Sequence, residues 1–190
     1  NQAAKITLSD DQTCFLKWNR SADPDMFLKE EKGLHLLRSA ETTLRIPEVF
    51  ATGKTNSGVG YLVQEFIVQG QSGADSAEGF GQSLAKLHKS TEQKFGLDHD
   101  NYIGRLPQSN KRHKSWIDFF IEERMQPQLS MARDAGKLGS KTVEHFESMY
   151  KQLSNIFPDE PPSLLHGDLW GGNYFYDDSG NATIYDPAVY

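Results

Sequence analysis

Leu164-Leu165-His166-Gly167-Asp168-Leu169-Trp170-Gly171-Gly172-Asn173 sets a run of polar groups inside an apolar frame, directly after the helix-stopping residues Pro161-Pro162. His166 and Asp168 stand two apart, Asn173 stands five beyond Asp168, and the glycines between them let the backbone bend tightly. Downstream, Tyr174-Phe175-Tyr176 and Thr183-Ile184-Tyr185 flank Asp177-Asp178-Ser179-Gly180-Asn181, a strong hairpin signal. Such a hairpin returns Asp186, at the end of its second strand, to the side of Asn173, at the start of its first. The spacing therefore predicts that three oxygen-bearing side chains converge: Asp168, Asn173 and Asp186.

Each of these residues is ordinary by itself. An aspartate in a turn is usually a cap or turn former, and so is an asparagine; a histidine such as His166 is more often a hydrogen-bonded structural group than a catalyst. The conjunction is more specific. Magnesium takes hard oxygen ligands, one or two from protein and the rest from phosphates and water, and Asn173 and Asp186 can supply them. That leaves Asp168 to orient an acceptor hydroxyl and take its proton, with His166 grouped beside it as a catalytic candidate. The Asp-x4-Asn spacing, with a further aspartate on the following strand, equals that of the protein-kinase catalytic loop and metal-binding segment. A metal hydrolase built on His166, Asp168 and Asp186 fits less well, because a two-metal site needs further histidine and aspartate ligands.

Phosphoryl transfer also needs a cation on the nucleotide. Lys17 lies in the strand-like run Cys14-Phe15-Leu16-Lys17-Trp18, its neighbours Leu16 and Trp18 on the other face. A strand lysine usually faces solvent. Glu30, however, falls on the helical stripe of Phe27, Leu34 and Leu37, where a carboxylate requires a cationic partner, and Lys17 is the natural one. Glu31, about 100° further round the helix, is predicted to be solvated. A glycine-rich phosphate loop would precede Lys5, where the chain has already begun.

Outward from these motifs, 5–8 and 13–18 read as a hairpin around Ser9-Asp10-Asp11-Gln12, and Asp23 and Pro24 as the cap and first turn of the helix carrying Glu30. Ile46–Phe50 and Tyr61–Val68 read as strands joined through the turn Thr55-Asn56-Ser57-Gly58. Beyond Gly70 helices take over. Phe80, Leu84, Leu87 and His88 share a stripe, Trp116 to Ala135 is helical with a break at Pro127, and Val143, Phe146, Met149, Tyr150, Leu153 and Phe157 form one amphipathic face. The organisation is α+β: a strand-rich nucleotide-binding lobe over 1–69 and a helical lobe over 70–190 that carries the catalytic loop and metal-binding hairpin. The formal charge of −6 argues against nucleic-acid binding through a broad basic surface. The absence of a long apolar window predicts no membrane span. The single cysteine, Cys14, reads as a small buried hydrophobe and fits a reducing, cytoplasmic setting. The chain reads as cut at both ends, with no initiator Met and a stop in mid-pattern at Tyr190.

With these residues in hand, the sequence resembles the fructosamine kinase (ketosamine-3-kinase) family, within the wider aminoglycoside-phosphotransferase and choline-kinase-like group. His166 to Asn173 is similar to that family's HGDLWxGN and Asp186-Pro187-Ala188-Val189-Tyr190 to its DPAVY. Phe15-Leu16-Lys17, Met26-Phe27-Leu28-Lys29-Glu30, Leu84-Ala85-Lys86-Leu87-His88, Asn101-Tyr102-Ile103-Gly104, Pro107-Gln108-Ser109-Asn110 and Trp116-Ile117-Asp118-Phe119-Phe120 match in order. The resemblance implies a protein-kinase-like two-lobe fold, ATP and Mg2+ as cofactors, and a small-molecule ketosamine or glycated amine as substrate. The sugar's 3-hydroxyl would be phosphorylated and the adduct would then decompose, a repair activity. It implies that Lys17 and Glu30 position phosphates, that Asp168 is the base, and that Asn173 and Asp186 hold the metal. It further implies that Glu65, Phe66 and Ile67 form a hinge meeting adenine through the backbone, and that Trp170, Gln108 and Asn110 contact sugar or amine. Two alternatives share the same core: a related aminoglycoside- or choline-type kinase, and a non-catalytic binding module on a kinase fold. The family's glycine-rich loop and its C-terminal helices lie outside the sequence.

Overall fold

The alternating stretches around Ser9-Asp10-Asp11-Gln12 pair as an antiparallel hairpin, β1 (Gln2–Thr7) and β2 (Thr13–Asn19), in the computed structural model, which describes residues 1–21, 23 and 25–190. The Leu8 N–H closes the turn on the Gln12 carbonyl at 2.8 Å. β4 (Gly60–Glu65) lies on the other side of β2, and β3 (Val49–Lys54) beyond β4, giving a four-stranded sheet in the order β1-β2-β4-β3. Both later strands depart from their expected bounds. Pro47 offers no N–H, so the chain joins the ladder only from Val49, and it extends to Lys54 through a bulge between Val49 and Ala51. β4 ends at Glu65 rather than Val68, where its pairing with β2 stops opposite Cys14, one residue from the start of β2.

Helix α1 (Met26–Ser39) buries Phe27, Glu30, Leu34 and Leu37 on one face, as their spacing predicts. Asp25, not Asp23, occupies the N-cap position; the Asp23 carboxylate accepts the Asp25 N–H at 3.4 Å. The expected first-turn residue Pro24 lies outside the described residues. Glu31 is not simply solvated: it accepts a hydrogen bond from the Thr52 hydroxyl of β3 at 2.7 Å. Cys14 is fully buried with Leu34, Leu37 and Leu62.

The described residues fall into two compact units. The first comprises Asn1–Ser90, Asn101–Leu106 and Leu164–Val189. Besides the sheet and α1 it holds α2 (Ser76–Leu87), the short strand β5 (Asn101–Ile103), and a ribbon of β7 (Tyr174–Tyr176) and β8 (Ala182–Ile184). Another short strand, β6, covers Leu106–Gln108. The ribbon forms where predicted, Tyr174 opposite Ile184, and Phe80 of α2 stacks on Tyr174 with ring centroids 4.7 Å apart.

The second unit comprises Thr91–Asp100, Pro107–Ser163 and Tyr190. The helix expected over 116–135 is three segments: α3 (Trp116–Phe119), a π-helical stretch Phe120–Met125, and α4 (Gln126–Asp134). Its irregularity precedes Pro127. The Gln126 N–H donates five residues back, to Ile121, and this widened turn takes up the misfit of a residue that lacks an N–H and crowds the carbonyl four back. Trp116, Phe119, Phe120 and Tyr190 form an aromatic cluster, with the Arg124 guanidinium 4.5 Å from the Phe119 ring centroid and 4.3 Å from that of Tyr190. α5 (Ser140–Tyr150) turns Val143, Phe146, Met149 and Tyr150 to its less exposed side, half-buried, while Leu153 of α6 (Leu153–Ile156) is buried.

Candidate active site

Lys17, central in β2, is buried and shared between two acids from distant parts of the chain. Its Nζ lies 2.6 Å from Glu30 Oε1 and 2.6 Å from Asp186 Oδ1. Burial opposes the Lys17 charge, but the two carboxylates outweigh it and hold the ammonium pKa above its ordinary value. Burial also pushes the Glu30 carboxyl up, with Lys17 opposing. Removing Lys17 would leave the desolvated Glu30 carboxylate without its cation, which is costly.

The loop that carries Asp168 is fixed by its backbone. Gly167 has φ +81°, and a Cβ there would stand 1.8 Å from the Ala188 carbonyl oxygen, so only glycine fits. The Ala188 N–H donates to the His166 carbonyl at 2.9 Å, which ties this loop to the segment after Asp186. His166 itself is 2% exposed. Its Nδ1 accepts the Asp168 N–H at 3.3 Å, so the neutral ring carries its proton on Nε2 and donates to the Tyr185 carbonyl at 3.1 Å. Burial holds its pKa below the usual imidazole value, against the opposing pull of that carbonyl, Asp168 and Asp186. With both nitrogens engaged by backbone, His166 is suited to orient Asp168 rather than to exchange protons with a substrate.

Asn173 Nδ2 donates to the Asp168 carbonyl at 2.8 Å and to Asp168 Oδ2 at 3.1 Å. Both partners are acceptors, so the amide NH2 faces them and the amide oxygen is the group left for a cation. The Tyr185 N–H donates to the Asn173 carbonyl at 3.1 Å, which sets Asn173 against the residue preceding Asp186. Asp186 adopts φ +59°, a conformation uncommon outside glycine, with nearly half of its side chain exposed. An amide oxygen and a partly exposed carboxylate are the hard donors that magnesium prefers, so this donor set fits that ion.

Asp168, Asp186 and Glu30 line one cleft of about 100 Å³, together with Lys29, Tyr102 and Pro187. Lys29 and Tyr102 went unassigned in the sequence although both lie in matched motifs. The signal available for Lys29 was its place beside Glu30. Tyr102 gave none, because its hydrogen bond to Asp25 Oδ1, 2.7 Å long, spans 77 positions.

The remaining expected residues are distributed differently. Trp170 is 63% exposed, its indole folded over Gly172. The Glu65 side chain is bound to Arg45 at 2.7 Å; Lys5 lies over the Phe66 ring at 4.7 Å and Ile67 is buried. Gln108 and Asn110 belong to the second unit and are both buried there. The Asn110 side chain accepts from Arg124 Nη2 at 2.6 Å and donates to the His99 carbonyl at 3.2 Å, bonds that hold its own loops together. The first unit therefore gathers Lys17, Glu30, His166, Asp168, Asn173 and Asp186.

Comparison with known proteins follows the same outline. The profile of the family described as "Fructosamine kinase" matches residues 1–190. The chain is 37% identical over 187 residues to protein-ribulosamine 3-kinase, chloroplastic, of Arabidopsis thaliana, covering 96% of this chain and 56% of that one. A crystal structure from Thermobifida fusca, designated a candidate fructosamine-3-kinase, superposes with a TM-score of 0.86 at 31% identity, covering 98% of this chain and 64% of its own. The aminoglycoside phosphotransferase APH(4)-Ia superposes with a TM-score of 0.62 at 14% identity, a likeness of fold alone. The chain spans less than two thirds of the length of the first two relatives. Its architecture, an antiparallel sheet with helices, is the α+β protein-kinase-like fold of these neighbours.

Proposed function

Because the chain belongs to the fructosamine kinase family, we propose that it forms the nucleotide- and metal-binding part of an ATP-dependent kinase that phosphorylates the 3-hydroxyl of ketosamines, a deglycation activity. The observation that carries this reading is the buried Lys17–Glu30 pair joined to the half-exposed Asp186, whose acids line the same cleft as Asp168. A lysine held charged between two acids is suited to nucleotide phosphates. Magnesium, when bound by Asn173 and Asp186, neutralises charge on the phosphate oxygens. Asp168 accepts the proton of the acceptor hydroxyl as that oxygen bonds the γ-phosphorus; the bond from phosphorus to the β–γ bridging oxygen breaks, and its electron pair leaves on ADP. His166 positions Asp168 through the loop backbone. The backbone of Glu65–Ile67 receives adenine. Trp170, whose exposed indole offers a flat face in the catalytic loop, contacts the sugar or amine, as do Gln108 and Asn110. The division into a strand lobe over 1–69 and a helical lobe over 70–190 belongs to the same proposal.

Among the described residues no helix is long and apolar enough to cross a membrane. A cytoplasmic setting is proposed in keeping with the buried free Cys14. The test uses the full-length protein with ATP and a synthetic fructosyl amine, reading ADP and the phosphorylated ketosamine. Asp168→Asn should lower kcat by about 10²–10⁴-fold while Mg-ATP binding persists. A variant that retains the wild-type rate sinks the assignment of Asp168. A relative under 25% identical supports the fold only, so nothing here favours an aminoglycoside over a ketosamine.

A further inference from the structure

The ribbon that ends in Asn173 and Asp186 is fastened along both edges to segments flanking Glu65–Ile67. On one edge the Gly70 N–H donates to the Tyr176 carbonyl at 2.8 Å and the Asp178 N–H to the Val68 carbonyl at 3.1 Å. The approach is close enough that a Cβ on Gly70 would stand 2.4 Å from the Asp177 carbonyl oxygen. On the other edge Arg45 bridges Thr183 in parallel, its N–H on the Ala182 carbonyl at 2.8 Å and its carbonyl on the Ile184 N–H at 3.0 Å. The Arg45 side chain then spans both structures. Nη1 lies 2.9 Å from Asp177 Oδ2 at the ribbon's turn, and Nη2 lies 2.7 Å from Glu65 Oε1.

We infer that Arg45 is a positioning residue that sets the adenine-facing segment Glu65–Ile67 in register with the ribbon holding the metal ligands Asn173 and Asp186. This rests on the functional reading above. A guanidinium presents separate nitrogens in a rigid plane, so one side chain addresses two carboxylates at once, whereas a lysine ammonium meets them as a single point. Stability alone does not account for the Arg45–Glu65 arm: its two side chains are 38% and 30% exposed, and ion pairs so exposed contribute little to folding. Asp177, in contrast, has three further donors from Ser179 and Asn181 besides Arg45. What Arg45 adds is the link to Glu65, and with it a fixed distance between the two ends of one nucleotide, adenine and polyphosphate.

The test is calorimetric titration of the full-length protein with Mg-ATP, alongside its melting temperature. Arg45→Lys keeps the charge but loses the double grip. Glu65→Gln leaves the Arg45–Asp177 pair intact and weakens only the hinge arm. Each should raise the Mg-ATP Kd by roughly tenfold, and the double variant should bind no more weakly than Arg45→Lys alone, since both changes break one link. Binding within twofold of wild type in both single variants, whatever their melting temperatures, overturns the inference and leaves Arg45 a structural brace. So does a double variant in which the two losses multiply. If the wild-type protein fails to bind Mg-ATP, the functional reading falls as well; normal wild-type binding with unaffected variants removes this inference alone.

Discussion

Two aspartates mark the two ends of the same ribbon, and they are held in opposite ways. Asp177, at the turn, is fully buried and accepts hydrogen bonds from the backbone of Ser179 and Asn181, the Asn181 amide and the Arg45 guanidinium. Asp186, at the open end, is partly exposed, takes one lysine, and sits in a left-handed backbone conformation that few aspartates adopt. The turn aspartate has its oxygens filled by protein. The other is left with acceptor capacity facing a cleft, at a local cost in backbone strain. Saturation marks a structural carboxylate, and incomplete coordination at a strained position marks one reserved for something outside the chain.

The largest effect that would test this contrast is on ligand binding by Asp186→Asn. Asparagine tolerates the left-handed conformation and its amide oxygen can still accept from Lys17. Folding should therefore hold, with the urea midpoint close to that of wild type. Mg-ATP affinity should fall by about a hundredfold or more, beyond the loss typical of an outer-shell metal partner. Unchanged Mg-ATP affinity by calorimetry would erase the distinction between the two aspartates. The second effect is the converse. Asp177→Ala strips acceptors from the turn and should cost about 3 kcal/mol of unfolding free energy in urea titrations, several times what an exposed aspartate contributes. A turn that tolerates alanine within about 0.5 kcal/mol would mean that the network is decorative.

The contrast was only half legible in the sequence. Local chemistry could be read directly. Asp177-Asp178-Ser179-Gly180-Asn181 is a turn by composition, and the ribbon's register places Asp186 next to Asn173 without any tertiary information. The pairing of Lys17 with Glu30 was also readable, because a carboxylate on the stripe of Phe27 and Leu34 has few ways to be satisfied. Contacts between segments far apart in sequence left no trace. Nothing in Leu44-Arg45-Ile46 marks an arginine that will meet Asp177, 132 positions away, or Glu65. Glu31 was expected in water because helix geometry gives only its angle; its hydroxyl partner, Thr52, comes from the neighbouring strand. Gln108 and Asn110 show another limit of a motif match. A motif match gives a residue's place in the chain, whereas its bonding, here Asn110 to Arg124 and to the His99 carbonyl, depends on loops folding around it.

The smallest effect is a pH dependence that the saturated aspartate contributes. Burial pushes the Asp177 carboxyl up, but Arg45 and the Asn181 and Ser179 donors outweigh it and hold the pKa below its usual value. The unfolded chain then takes up a proton at Asp177 at higher pH than the folded one does. The stabilisation is complete above the unfolded value of about 3.9 and is lost as the pH falls through the lower folded value. Unfolding free energy measured from pH 6 down to pH 2 should therefore decline more steeply in wild type than in Asp177→Asn, with the two curves converging at the acid end. Parallel curves for wild type and Asp177→Asn would mean that the turn carboxylate gains nothing from its enclosure, and its full burial would then have no electrostatic consequence.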